Sequence, residues 1–237
     1  VGAYHPVIAL SKAHFLKLAE FRPQLLADGF LVARNFLLEV FQRDPSIVVS
    51  TVNANYLLPA GASLVHPHMQ MLAAPTAYSY HARLLAASDA YLRTQGSCYY
   101  TDLISKERLD ASRYIARKGK WHWIASFSPL GSNEIMGIHE DSGDFGSLDN
   151  RDLEDLGSGI SSTLATFEDL GHLSFNFSLF SAREHEGFRC MIKIVTRQNL
   201  CANYRNDDYF LQKMLQSELI INLPEDLAAG ARRRFQG

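Results

Sequence analysis

The sequence predicts an α+β fold in which one arrangement of elements occurs twice. Two observations carry this. Apolar residues alternate between strand spacing and helical spacing along the chain. The order strand, long helix, strand, loop, strand can also be read twice, once in each half, as an internal duplication would leave it. The length of 237 residues suits one large domain or two small ones, and either can bury a proper core.

Val7-Ile8-Ala9-Leu10 reads as a short buried strand. Leu25, Leu26, Phe30, Leu31, Phe36, Leu37 and Val40 recur at helical spacing and predict a long amphipathic helix over 25–41. Residues 46–53, rich in Val and Thr, predict a strand. The small-residue loop Pro59-Ala60-Gly61-Ala62-Ser63 follows, then a strand over 63–73 that Pro75 ends, then a connecting helix over 81–93.

In the second half, strands are predicted over 121–127 and 134–138, joined by the turn-rich Ser128-Pro129-Leu130-Gly131-Ser132. A helix over 150–167 carries its apolar stripe at Leu153, Leu156, Ile160, Leu164 and Phe167, and strands follow over 172–180 and 188–195. Proline and two acids at Pro224-Glu225-Asp226 mark the start of a closing helix that packs on the second half. Laying the halves together sets Arg189 against His66, Met191 against His68 and Lys193 against Gln70. Only the first copy keeps imidazoles.

Composition excludes several classes. Hydrophobic content of 47% and charged content of 20% are ordinary for a water-soluble globular chain. A formal charge of −2 and the lack of a long basic run argue against a nucleic-acid partner. No apolar run approaches the roughly 20 residues of a membrane span, and no signal-peptide pattern opens the sequence. Cys98, Cys190 and Cys201 form no CxxC pair and cannot all be bridged, so a reducing, cytoplasmic setting is expected. The start at Val1, almost directly into a strand, predicts a beginning in mid-domain.

The chemistry concentrates in His66-Pro67-His68-Met69-Gln70. In an extended segment His66, His68 and Gln70 project from one face. Paired histidines of this kind also serve as structural hydrogen-bonding groups or as part of a metal site. The glutamine and the loop Gly61-Ala62-Ser63 favour phosphoryl chemistry, because an amide donor and backbone N–H groups neutralise charge on phosphate oxygens without titrating.

These residues resemble the galactose-1-phosphate uridylyltransferase family, a branch of the histidine-triad superfamily. The likeness rests on 7–14, a strand ending at His14; on Asn55 and Gly61-Ala62-Ser63 before His66-Pro67-His68-Met69-Gln70; on Asn133-Glu134; and on 222–229. It implies two tandem histidine-triad-like repeats, each an antiparallel sheet with a long helix. The first, catalytic repeat would cover 1–95 and lack its N-terminal part, and a degenerate second repeat would cover 96–237.

By that resemblance His68 is the nucleophile. It attacks the α-phosphorus of a nucleoside-diphosphate sugar, expels a sugar 1-phosphate, and passes the nucleotidyl group to a second sugar 1-phosphate with ping-pong kinetics. The attacking nitrogen needs its ring partner fixed by an acceptor, expected to be a backbone carbonyl near His66. Gln70 stands where hydrolytic members carry a third histidine, which favours transfer over hydrolysis. Asn55, Gly61, Ala62 and Ser63 would bind the nucleotide phosphates; on the residues alone, Ser63 reads equally as a loop cap and Asn55 as a turn residue.

His14 and His66 match two ligands of the family's structural zinc site, whose Cys-x-x-Cys pair lies upstream of Val1 in the family layout. Structural zinc takes four ligands, so these two do not complete a site. The family's second His-x-His is Arg189-Cys190-Met191 here, and its hexose-gripping Gly-x-Glu segment is not recognisable over 197–219, which leaves the sugar and the base open. The resemblance further implies a homodimer. Two other readings stay open: an ADP-sugar or dinucleotide phosphorylase of the same superfamily, and a nucleotide-binding protein without turnover.

Overall fold

The computed structural model describes residues 2–199 and 210–236. Its strands are β1 (Val7–Ala9), β2 (Val49–Tyr56), β3 (His68–Ala74), β4 (Tyr114–Lys118), β5 (Trp121–Ala125), β6 (Ile135–His139), β7 (Ser174–Ala182) and β8 (Met191–Arg197). Its helices are α1 (Pro23–Arg43), α2 (Ser79–Gln95), α3 (Tyr99–Asp110), α4 (Asn150–Asp169), the short α5 (Phe210–Lys213) and α6 (Pro224–Phe235). The strands form one antiparallel sheet in the order β1-β3-β2-β7-β8-β6-β5-β4.

One face of this sheet is apolar from edge to edge. Met69, Met71, Val52, Phe175, Phe177, Leu179, Ile192, Ile194, Trp121 and Trp123 point into a single core with α1, α4 and α6. The stripe expected on α4 is buried at all five positions, and Leu26, Phe30, Leu37 and Val40 of α1 face it. A capping box starts α4: Asp149 accepts from the Asp152 N–H at 2.8 Å, and Asp152 accepts from the Asp149 N–H at 3.1 Å. The two helices meet at Gly157, where a Cβ would lie 2.5 Å from the Pro23 carbonyl oxygen. Only glycine permits that approach.

The other face is divided. Over the second half, α2 and α3 pack Leu84, Tyr100 and Ile104 onto Ile124, Met136, Ile138, Phe180 and Met191, so β5 and β6 are buried on both faces. Over the first half that face is polar, and it carries the candidate site.

Two expectations are corrected, and two elements are added. Residues 7–10 are not a buried strand: β1 is the sheet's edge, pairs only with β3, and buries Ile8 alone. The histidine strand starts at His68 rather than Ser63, so His66 lies in the preceding loop, where Pro67 offers no N–H to a ladder. α3 and β4 were not foreseen. The inward face of α3 includes the buried Glu107, held by Arg113 at 2.7 Å, and a charge there blunts the helical signal.

The strand order reads alike outward from the β2–β7 seam, β2-β3-β1 on one side and β7-β8-β6 on the other. Residue 95 closes α2, and both sheet and core run across that point in the chain. Cys98 and Cys190 are free thiols, while Cys201 lies outside the described residues, as do positions 200–209 of the 197–219 stretch searched for a hexose grip. Among the described residues no helix is long and apolar enough to cross a membrane.

Candidate functional site

Strand alternation builds the site floor. With Met69, Val52 and Phe177 committed to the core, their neighbours His68, Gln70, Asn53, Asn55, Asn176 and Ser178 face the other way and stay half-buried. The register sets Gln70 opposite Val7 on β1 and Asn53 on β2, and His68 opposite Ala9.

The His68 ring is held at Nδ1, which lies 2.8 Å from the His66 carbonyl oxygen. A carbonyl only accepts, so Nδ1 carries the proton and Nε2 keeps its lone pair on the open face. The Gln70 amide nitrogen lies 3.4 Å from that Nε2, and Gln70 Oε1 lies 3.0 Å from His5 Nε2. Asn53 donates to the Gln70 carbonyl at 3.2 Å and to Thr51 at 2.9 Å, which stiffens β2 against β3 beneath the two side chains.

No family model matches the chain. An uncharacterized protein of Archaeoglobus fulgidus is 30% identical over 231 residues, which are 97% of this chain and 68% of that protein. The ADP-glucose phosphorylase of Arabidopsis thaliana is 27% identical over 157 residues, 65% of this chain and 42% of that enzyme. Among solved structures, a uridylyltransferase superposes with a TM-score of 0.85 at 16% identity, over 98% of this chain and 74% of that one. An Arabidopsis thaliana ADP-glucose phosphorylase with bound ADP-glucose superposes with a TM-score of 0.79 at 20% identity, over 97% and 73%. The chain has the fold of these uridylyltransferase and ADP-glucose phosphorylase structures.

The remaining residues that the family resemblance singles out fall in three places. Leu58–Ala60 form a single 3-10 turn capped by Gly61, whose φ of 81° is left-handed and suits glycine. The N–H groups of Gly61 and Ala62 are taken by the carbonyls of Leu58 and Leu57 at 2.9 and 3.2 Å, so neither is free for a phosphate as the sequence suggested. The N–H groups of 63–66 make no hydrogen bond among the described residues, and Ser63 is exposed. The loop's free N–H donors therefore begin at Ser63.

Asn55 accepts from Asn176 at 2.7 Å; Asn176 also donates to the Ala60 carbonyl at 2.9 Å and accepts from Arg197 at 2.7 Å. Asn176 of β7 thus ties the loop, Asn55 of β2 and Arg197 of β8 together. Beside it opens a cavity of about 240 Å³ lined by Gly131, Ser132, Asn176, Thr196, Arg197 and Glu218, among others.

His14 and His66 meet away from the floor. Their Nδ1 atoms are 3.1 Å apart, and His66 Nε2 donates to the Ser11 carbonyl at 2.6 Å, which leaves His66 Nδ1 its lone pair. Two imidazoles on one zinc at about 2.0–2.1 Å would sit at a similar separation. Among the described residues, however, no group of three or more His, Cys, Asp or Glu is arranged to hold a metal. The residues present fit half of a structural zinc site, not a whole one.

In the second half Lys193 lies opposite Met136 and Ser178, the register position that Gln70 holds between Val7 and Asn53. The Lys193 side chain is mostly covered, 11% exposed, and donates to Glu134 at 2.7 Å. Burial works against its charge, but the Glu134 carboxylate and Tyr80 together outweigh burial and hold its pKa above the usual lysine range. Glu134 also accepts from Ser126 at 2.5 Å and from the Leu130 N–H at 2.8 Å. Arg189, aligned with His66, caps the carbonyls of Glu140, Glu186 and Phe188 instead.

Sequence reasoning missed His5, Asn53, Asn176 and Arg197. Asn176 had a signal, as a polar residue between Phe175 and Phe177 on an alternating strand. His5 had none, because only the β1–β3 register brings it to Gln70.

Proposed function

We propose that the protein is a nucleotidyltransferase that works through a covalent nucleotidyl-His68. The observation that carries this is the 2.8 Å contact from His68 Nδ1 to the His66 carbonyl, which leaves Nε2 as a lone pair on an open polar floor. In the first step that lone pair forms an N–P bond to the α-phosphorus of a nucleoside-diphosphate sugar. The bond from that phosphorus to the bridging oxygen breaks, and sugar 1-phosphate leaves with the electron pair. Positive charge develops on the ring and is stabilised by the His66 carbonyl. The Gln70 amide and the free N–H groups of 63–66 offer donors to the phosphoryl oxygens. In the second step a phosphate oxygen of the acceptor attacks phosphorus, and the N–P electrons return to Nε2 with no net proton change.

Gln70 cannot act as a general acid or base, so water gains no help at the intermediate. That supports transfer over hydrolysis. The acceptor separates two activities. A sugar 1-phosphate makes the enzyme a uridylyltransferase-like transferase; inorganic phosphate makes it an ADP-sugar phosphorylase, a reading favoured by the sequence likeness to the plant phosphorylase. The shared register of β3 and β8 supports two tandem histidine-triad-like repeats, divided near residue 95, with Lys193–Glu134 replacing the polar floor in the second. The reading also includes a homodimer, to be measured by sedimentation. Zinc at His14 and His66 would need two further ligands, to be measured by metal analysis.

The test is covalent trapping. With UDP-glucose or ADP-glucose labelled at the α-phosphorus, the wild-type protein should gain acid-labile, base-stable label, and His68→Ala should gain none. Discharge by glucose 1-phosphate or by inorganic phosphate then assigns the activity. Label persisting in His68→Ala would show another nucleophile; no label from either sugar nucleotide would sink the catalytic reading.

A further inference from the structure

The polarity of the hydrogen bonds around His68 is fixed from one end. The His66 carbonyl can only accept, so His68 Nδ1 donates to it and Nε2 is a lone pair. A lone pair accepts, so the Gln70 atom facing it at 3.4 Å must be the NH2 group. The Gln70 carbonyl oxygen then points the other way, to His5 Nε2 at 3.0 Å, and that nitrogen must carry a proton. The chain of donors runs His5 to Gln70 to His68 to the His66 carbonyl without a break.

An amide's two ends have nearly the same size, and nothing in packing tells them apart. If the Gln70 amide flipped, its oxygen would meet the His68 lone pair and, later, the phosphoryl oxygens. Negative would face negative where a donor is needed. Asn53 holds only the Gln70 backbone carbonyl, not its side chain. Among the described residues, the one donor within reach of Gln70 Oε1 is His5.

Resting on the nucleotidyl-His68 reading, we propose that His5 is a positioning residue that selects the Gln70 rotamer presenting NH2 to the reacting phosphoryl group. His5 touches neither the nucleophile nor, on this reading, the substrate. It acts from β1's approach to the sheet edge, 65 residues away in sequence, and it is exposed, so its removal leaves the core unchanged.

The experiment is a double-substitution cycle read by single-turnover labelling of the full chain with α-labelled ADP-glucose or UDP-glucose, whichever labels wild type. His5→Ala should slow label formation about tenfold, and Gln70→Ala about a hundredfold, the effect of losing one well-placed donor. In the Gln70→Ala background, His5→Ala should add less than twofold, because its partner is gone. His5→Gln, which keeps an N–H donor of similar reach, should recover most of the loss. Apparent substrate affinity should change less than twofold throughout. Independently of activity, ¹⁵N shifts of His5 should report an Nε2–H tautomer in the wild type.

Multiplicative effects in the double variant would overturn the proposal, as would wild-type labelling in His5→Ala or an unprotonated His5 Nε2. Absence of label in the wild type itself would instead sink the His68 reading, and this proposal with it.

Discussion

Substituting His81 should change how the protein responds to acid. His81 sits on α2 with 1% exposure, its ring 5.4 Å from that of Phe180 and 5.6 Å from that of Phe188. Among the described residues, neither ring nitrogen has a hydrogen-bond partner. Burial, with a smaller push from nearby His185, brings its pKa down from 6.5 to about 4. The unfolded chain takes up this proton near 6.5, while the folded protein resists it until about 4. Between those values the unfolded state binds more protons, so stability is full above pH 6.5 and falls as the pH drops toward 4. At about 1.4 kcal/mol per pH unit, the loss attributable to His81 is about 3 kcal/mol. A His81→Leu variant lacks that titration and leaves no unpaired ring nitrogen in the core, so at pH 7 it should be about as stable as wild type. Urea unfolding of both proteins from pH 7.5 to 4 measures the difference, in which every other titrating group cancels. The variant should gain on wild type by about 3 kcal/mol across that range. Parallel stability curves would refute the reasoning, because they would mean that His81 does not titrate differently in the folded state.

Further perturbations test the packing and the chemistry. Lys193→Met strands the buried Glu134 carboxylate without its cation and should cost about 3–5 kcal/mol in denaturant unfolding, much of it restored by adding Glu134→Gln. Gly157→Ala places a Cβ against the Pro23 carbonyl and the Ala27 N–H of α1, backbone atoms that cannot rotate away. It should cost about 1–3 kcal/mol, read as a drop in thermal midpoint. Gln70→His puts a titrating ring beside the nucleotidyl-His68 intermediate and should raise nucleoside monophosphate release relative to transfer by about tenfold or more; an unchanged product ratio would count against Gln70 as the feature that excludes hydrolysis.

The sequence was most legible where the physics is local. His68 and Gln70 share a face because they are two residues apart on a strand, and the α4 stripe is buried because helical spacing commits it. His66 failed the same reading, since Pro67 keeps the ladder from extending back to it. Gly61 and Ala62 looked like phosphate donors in a small-residue loop, yet the 3-10 turn consumes both N–H groups and shifts the free donors to 63–66. α3 and β4 escaped because a charged pair, Glu107 with Arg113, occupies what would otherwise be an apolar face.

By itself, then, the sequence determined the candidate nucleophile His68, its amide neighbour Gln70, the alternation that aims both outward, and the buried stripe of α4. Only the tertiary structure decided what surrounds them. Antiparallel pairing of β1 with β3 brings His5 to Gln70, pairing of β2 with β7 brings Asn176 to Asn55, and α2 with α3 closes the sheet face over the second half while leaving the first half open. The physical reason is range: side-chain direction is set by local backbone geometry, whereas register and coverage are set by contacts between residues far apart in the chain.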